Sequence, residues 1–234
     1  MKNIVVTGAS KGIGLAIAKK FAAENYTVAI CSRDKNNLDE TVESISNSAG
    51  HNNIYSFVCD VSKPGERIAF ADFVKDKMGE TGILVNNAGI FFPGQIHTEE
   101  DGILEKTLEI NVHSAYHFTR LFLPAMMKNK SGHIFNMCST ASITAYTNGG
   151  SYCISKYALL GMTKVLREEM KPHNIKVTAI LPGATLTNSW SGTDLPETRF
   201  MKAEDVAEAV WMCSQLSPAA VIEEILMRPQ PGDI

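Results

Sequence analysis

The sequence predicts an α/β fold: a doubly wound parallel sheet of about seven strands with helices on both faces. Three observations carry that expectation. Short apolar runs alternate with amphipathic helical stretches throughout the 234 residues. Runs such as Ile4-Val5-Val6 and Ile83-Leu84-Val85 are continuously apolar, as in strands covered on both sides. Glycines and polar residues gather just after the runs, at the strand ends where such sheets hold ligands.

Composition sets the outer bounds. The length suits a single domain over residues 1–234. Hydrophobic residues make up 44% and charged residues 20%, the proportions of an ordinary globular protein with a full core. A net charge of −3 gives no reason to expect nucleic acid or an anionic membrane as partner. No apolar run reaches the length of a bilayer span, and the first strand begins too early for a signal peptide, so a cytoplasmic location is expected. Cys31, Cys59, Cys138, Cys153 and Cys213 are odd in number and lack a Cys-x-x-Cys, which suits buried, reduced thiols and neither zinc nor a disulfide framework.

The first strand, Ile4-Val5-Val6, runs into Thr7-Gly8-Ala9-Ser10-Lys11-Gly12-Ile13-Gly14, and a helix follows to about Glu24 with Leu15, Ile17, Ala18 and Phe21 inward. A glycine-rich turn opening a helix offers unpaired N–H groups and a partial positive charge to phosphate. Residues 26–31 read as the second strand. Ser32 and Arg33 follow, at the place that in a dinucleotide-binding sheet meets the adenosine ribose. A basic residue there tolerates a 2′-phosphate, with Lys11 as a second positive charge, so NADP(H) is expected over NAD(H). Asp34, one place further, complicates that reading.

A polar helix over 35–48 leads to a third strand at 53–58, which ends in Cys59-Asp60-Val61-Ser62. Asp60 could meet an adenine amino group or cap the next helix; position alone leaves the two open. That helix runs from Pro64 to Met78. The fourth strand, 83–85, ends in Asn86-Asn87-Ala88-Gly89, two amides and two small residues able to tie the sheet together and leave room for a ring. A long helix over about 101–128 is interrupted at Asn111, where a kink or a buried water is expected. His113 and His117 lie one turn apart but lack a third ligand, so no metal site is expected. The fifth strand, 133–137, delivers Ser139. A helix to about Met170, a sixth strand over 176–181 ending in Pro182-Gly183, a polar loop over 184–202, a helix over 203–216 and a strand near 221–227 complete the chain.

Within that frame Tyr152 and Lys156 stand four residues apart, hence one turn apart on one helix face. A positive charge beside a phenol favours the phenolate. With a serine hydroxyl from a strand end, the pair could donate a proton to a carbonyl oxygen. Alone, the spacing occurs on many helix surfaces.

In combination these motifs resemble the short-chain dehydrogenase/reductase family over essentially the whole chain, which implies a Rossmann-type sheet. Thr7-Gly8-x-x-x-Gly12-x-Gly14 matches the family's cofactor turn, Asn86-Asn87-Ala88-Gly89 its fourth-strand motif, and Asn111, Ser139, Tyr152 and Lys156 its catalytic tetrad. The resemblance implies cofactor contacts from Gly8, Ser10, Lys11, Gly12, Ile13, Gly14, Ser32, Arg33, Asp60, Val61, Asn87, Ala88 and Gly89. It adds Tyr152, Lys156, Pro182, Gly183, Thr185 and Thr187 at the nicotinamide end. It implies reduction of a ketone or aldehyde, 3-oxoacyl-type substrates included, with Tyr152 as proton donor and Asn111 holding a water in line with Lys156. An NAD-dependent alcohol or sugar dehydrogenase, or a non-catalytic NADP(H) sensor, is the alternative. A homodimer or homotetramer is implied through the family's two long helices.

The chain also departs from its apparent relatives. Cys138 replaces a frequent serine, Ser142 replaces a frequent glycine and is expected to alter the pocket wall, and Arg228-Pro229-Gln230-Pro231-Gly232-Asp233-Ile234 replaces a glycine-rich ending. Phe91, Phe92, Tyr146 and Trp190 are candidates for an apolar substrate pocket.

Overall fold

The computed structural model describes residues 2–190 and 192–234, without the Ser189 side chain. The described residues form seven strands: β1 (Asn3–Thr7), β2 (Thr27–Ser32), β3 (Ile54–Val58), β4 (Ile83–Asn86), β5 (Gly132–Met137), β6 (Ile175–Pro182) and β7 (Glu224–Met227). They make one sheet in the order β3-β2-β1-β4-β5-β6-β7, and every neighbouring pair is parallel. Chain order reverses direction between β1 and β4, which opens a crevice outside their carboxyl ends.

Helices cover both faces. Strand residues alternate between the faces, so Ile4 and Val6 point to one side and Val5 to the other. The first side is packed by α1 (Gly12–Ala23), α2 (Lys35–Ala49) and α7 (Ala203–Ser214), with Phe21, Leu38 and Val210 fully buried or nearly so. The second is packed by α3 (Pro64–Met78), α5 (Ser114–Asn129) and α6 (Gly150–Met170), through Phe70, Phe118 and Leu166. Each buried side chain of this kind contributes roughly 1.5–3 kcal/mol. Among the described residues no helix is long and apolar enough to cross a membrane.

Two elements differ from the sequence expectation. The long helix starts at Ile103, as α4 (Ile103–Leu108), and joins α5 through a π-helical turn over Glu109–His113. Asn111 lies in that turn, whose widened backbone is a common feature of functional sites. The last strand is shorter than expected and starts at Glu224. Ile222 is not in the ladder: its carbonyl accepts a hydrogen bond from the Thr178 hydroxyl at 2.6 Å.

Candidate active site

The crevice is tied together from below by side chains at the ends of β1, β4 and β5. Thr7 Oγ1 accepts from the Asn87 and Ala88 N–H groups at 3.0 and 3.1 Å. Asn87 Nδ2 donates to the carbonyls of Thr7 and Gly8 at 2.9 and 3.0 Å, which locks the turn after β4 onto the turn after β1. Gly14 is what lets this amide in. A Cβ there would collide with Asn87 Nδ2 and lie 2.7 Å from Gly8 O. Gly14 therefore shapes the turn from behind and does not line the cleft, as the cofactor motif had implied it would. One layer deeper, Asn86 Nδ2 donates to Asn136 Oδ1 at 2.8 Å and to Thr119 Oγ1 at 3.1 Å, and Asn136 Nδ2 to Thr163 Oγ1 at 2.9 Å. These buried amides join β4 and β5 to α5 and α6.

At the other end of the cleft, Ser10 and Ser32 share a hydrogen bond of 2.9 Å and Arg33 lines the wall. Asp34 is turned away from that wall. Its Oδ1 accepts from Asn37 N at 2.9 Å, so it is the N-cap of α2. Asp60 lines the cleft and does not cap α3: its Oδ1 accepts from both the N–H and the hydroxyl of Ser62, which lies before the helix, and so closes the turn after β3. Partial burial works to raise its pKa, but those hydrogen bonds and the charges of Arg33 and Lys63 outweigh it and hold the carboxyl below its ordinary value.

Tyr152 and Lys156 lie on the inner face of α6, with Lys156 Nζ 5.7 Å from the Tyr152 ring centroid. Lys156 is buried, and its ammonium donates to Met137 O at 2.7 Å. Ser139 lies two residues past the end of β5, in extended backbone, and its Oγ accepts from Ala141 N at 3.1 Å, leaving the hydroxyl proton to donate. Ser142, expected on the pocket wall, is instead buried beneath it. Its Oγ accepts the Ser139 N–H at 3.2 Å, a capping interaction that turns the side chain inward.

Asn111 does not line the cleft. Its Oδ1 accepts from Ile90 N at 2.8 Å, and its Nδ2 donates to Ile90 O at 3.0 Å and to Ser155 Oγ at 2.9 Å. It thereby braces the turn after β4 against α6. Cys138 is buried, and desolvation pushes its thiol up to about 11, so it stays protonated beside Ser139.

The cleft has a volume of about 800 Å³. It brings together Gly8, Ser10, Lys11, Gly12, Ile13, Ser32, Arg33, Asp60 and Val61 with Asn87, Ala88, Gly89, Ser139, Tyr152, Lys156, Pro182, Gly183, Thr185 and Thr187. Phe91, Tyr146 and Trp190 also line it. Phe92 does not, since its ring instead faces Lys106 Nζ at 5.0 Å. Burial, with Tyr152 and Cys153 nearby, raises the pKa of the Tyr146 phenol.

Cys59, Ile110, Asp233 and Ile234 also line the cleft, and the sequence motifs had marked none of them as a site residue. Asp233 is held there by one near and one distant residue: its carboxylate accepts from Arg228 Nε at 2.7 Å and its carbonyl from Arg199 Nη2 at 3.2 Å. No spacing rule would have pointed to it.

The volume and chemistry of this cleft fit a dinucleotide. A glycine turn and helix start lie midway, a cationic side chain at one end, and a phenol, an ammonium and a hydroxyl at the other. The chain is similar to known proteins in sequence and in fold. Residues 2–197 match the family model described as short chain dehydrogenase. Estradiol 17-beta-dehydrogenase 11 of Rattus norvegicus is 35% identical over 167 residues, which is 71% of this chain and 55% of that protein, so the match spans little more than half its length. A metagenomic short-chain oxidoreductase solved in complex with NADP superposes with a TM-score of 0.85 at 31% identity, covering 98% of this chain and 97% of that one. A 7α-hydroxysteroid dehydrogenase solved with NADH and 7-oxo glycochenodeoxycholic acid gives a TM-score of 0.89 at 31% identity, covering 99% and 94%. With a matching family model over most of its length, this fold and this cleft, the chain belongs to the short-chain dehydrogenase/reductase family.

Proposed function

We propose that the protein is an NADP(H)-dependent oxidoreductase that reduces a ketone or aldehyde to an alcohol. The observation that carries this reading is the meeting of Ser139, Tyr152 and Lys156 at one end of a cleft whose other end holds Arg33. The 8–13 turn and the start of α1 would hold the pyrophosphate, Ser32 and Arg33 the phosphorylated ribose, and Lys156 with the 182–187 segment the nicotinamide end. When bound, the reduced cofactor supplies a hydride to the carbonyl carbon.

The chain's own residues do the rest. Ser139 donates its hydroxyl proton in a hydrogen bond to the carbonyl oxygen and so fixes its position. Tyr152 gives that oxygen a proton as general acid. The Lys156 ammonium, anchored on Met137 O and 5.7 Å from the centre of the Tyr152 ring, favours the negative charge left on the phenol. Asn111 acts indirectly, by bracing Ile90 against α6.

Arg33 beside an Asp34 committed to helix capping favours NADP(H). The NADH in the hydroxysteroid dehydrogenase makes an NAD(H)-dependent dehydrogenase the alternative. Phe91, Tyr146 and Trp190 at the mouth favour a bulky, largely apolar carbonyl compound, and the steroid names of two relatives agree with that chemistry. Exposed Tyr116 and Leu121 on α5 and Tyr157 and Val165 on α6 support a homo-oligomer that covers them.

Oxidation of NADPH in the presence of steroid ketones, 3-oxoacyl thioesters and aldehydes tests the reading. Tyr152→Phe should reduce turnover on any active substrate by at least ~100-fold while NADPH still binds. Turnover by Tyr152→Phe near the wild-type rate would overturn the assignment.

A further inference from the structure

Helix α6 starts on two glycines, and its own N-cap, Gly149, has no side chain to satisfy the first N–H groups. The cap comes instead from a residue 52 positions upstream of Ser151. Glu99 Oε1 accepts from the Ser151 N–H at 2.9 Å, and its Oε2 accepts from the Ser151 hydroxyl. A carboxylate there also faces the positive end of the helix dipole. Ser151 is buried and immediately precedes Tyr152.

The backbone is shaped around this carboxylate. A Cβ on Gly150 would collide with Glu99 Oε1, and one on Gly94 would lie 2.7 Å from Glu99 Cγ. Beside it the two segments are laced together. The Gly94 N–H donates to Asn148 O at 3.0 Å, and Gln95 Nε2 donates to Asn148 Oδ1 at 3.1 Å. The clasp therefore joins the segment that carries Phe91 to the loop that carries Tyr146, at the first turn of the helix that carries Tyr152. Glu99 itself does not line the cleft.

Resting on the reading of Tyr152 as proton donor, we propose that Glu99 is a positioning residue for the reaction. Its carboxylate fixes the first turn of α6 against the 91–95 segment, so that Tyr152 meets the substrate oxygen in one geometry.

Glu99→Ala, Glu99→Gln and Gly150→Ala, compared with wild type, test the proposal by two readouts. In carbonyl reduction, Glu99→Ala and Gly150→Ala should lower kcat about 10- to 100-fold with KM for NADPH within about twofold, because a small misplacement penalises the chemical step most. Glu99→Gln keeps an acceptor for the Ser151 N–H and should retain at least about a third of wild-type kcat. In amide hydrogen exchange, the amides of residues 151–153 should exchange at least about tenfold faster in Glu99→Ala, with those of β1 unchanged.

Unchanged exchange at 151–153 overturns the proposal, whether or not a carbonyl is turned over. So does faster exchange with unchanged kcat, and so does a Glu99→Gln variant as impaired as Glu99→Ala. A wild type that reduces no carbonyl counts against the functional reading alone, and the exchange result then decides the clasp. If Glu99→Ala does not fold, Gly150→Ala and Glu99→Gln carry both readouts.

Discussion

Phe91 packs edge-on against Tyr152, with ring centroids 4.9 Å apart and planes at 73°. The edge-to-face geometry is a favourable one for aromatic pairs. It places an apolar wall beside the phenol, while Lys156 approaches the same ring from α6 itself. The candidate proton donor thus has one apolar neighbour and one charged neighbour, from different parts of the chain.

The first prediction concerns that apolar wall. Phe91→Ala removes a contact worth about 0.5–1.5 kcal/mol, so kcat/KM for an apolar carbonyl substrate should fall roughly 2- to 12-fold. KM for NADPH should stay within about twofold, because the ring faces Tyr152 and not the phosphate-binding turn. An equal loss in cofactor affinity would show that Phe91 supports the whole cleft and not the phenol.

Arg33 and Asp34 are adjacent in sequence but separate in role, and their variants should separate too. Arg33→Ala should weaken NADPH binding roughly 10- to 100-fold, the value of a charged hydrogen bond, and leave NADH within about twofold. Asp34→Ala should keep the NADPH preference and cost about 1 kcal/mol of stability through the lost α2 cap. Titration of both nucleotides by fluorescence, with urea unfolding of each variant, checks the pair. An Asp34→Ala protein with altered nucleotide preference would contradict the division.

Ser142 offers a third test, because its hydroxyl is inward and holds the Ser139 N–H. Ser142→Ala strands a buried donor, at a cost of about 1–3 kcal/mol, and frees the backbone that presents Ser139. Reduced thermal stability together with a several-fold lower kcat is expected. If instead only the range of accepted substrates changed, Ser142 would be a wall residue after all.

What was legible in the sequence follows from what local spacing can encode. The β/α alternation is legible because each buried strand is a short continuous run such as Ile83-Leu84-Val85, and each helix repeats its apolar face along its own length. The gathering of Ser139, Tyr152 and Lys156 in one cleft follows from strand ends and helix faces, which are also local properties. The sequence shows the π turn at Asn111 only as a kink, and the partner that Asn111 takes there, Ile90, lies outside its own helix. Asp34 turns to its own helix, Ser142 turns under its own loop, Glu99 takes a partner 52 positions away, and the Asp233 carbonyl is held by Arg199. Residue type and spacing announce what a side chain can do but not which of several partners it takes.

The last prediction concerns stability, and it rests on His133 in β5. This imidazole is buried, stacks on Phe135 at 3.9 Å between centroids, and lies 2.8 Å from Thr178 Oγ1. The Thr178 hydroxyl donates its proton to Ile222 O, so it can only accept from the ring, and Nε2 carries the hydrogen. Burial, with Lys176 nearby, lowers the pKa of His133 from 6.5 to about 3. The folded ring therefore stays neutral where the unfolded one is protonated. Its stabilising contribution is fully present above pH 6.5 and is lost progressively as pH falls from there toward about 3. Within that window the loss is roughly 1.4 kcal/mol per pH unit. His133→Gln can still donate to Thr178 but does not titrate. Urea unfolding between pH 7 and 5 should show a steeper loss of stability in wild type than in His133→Gln, by about that slope below pH 6. Parallel profiles would mean that the acid sensitivity lies in other groups, and that β5 admits a charged ring next to β6.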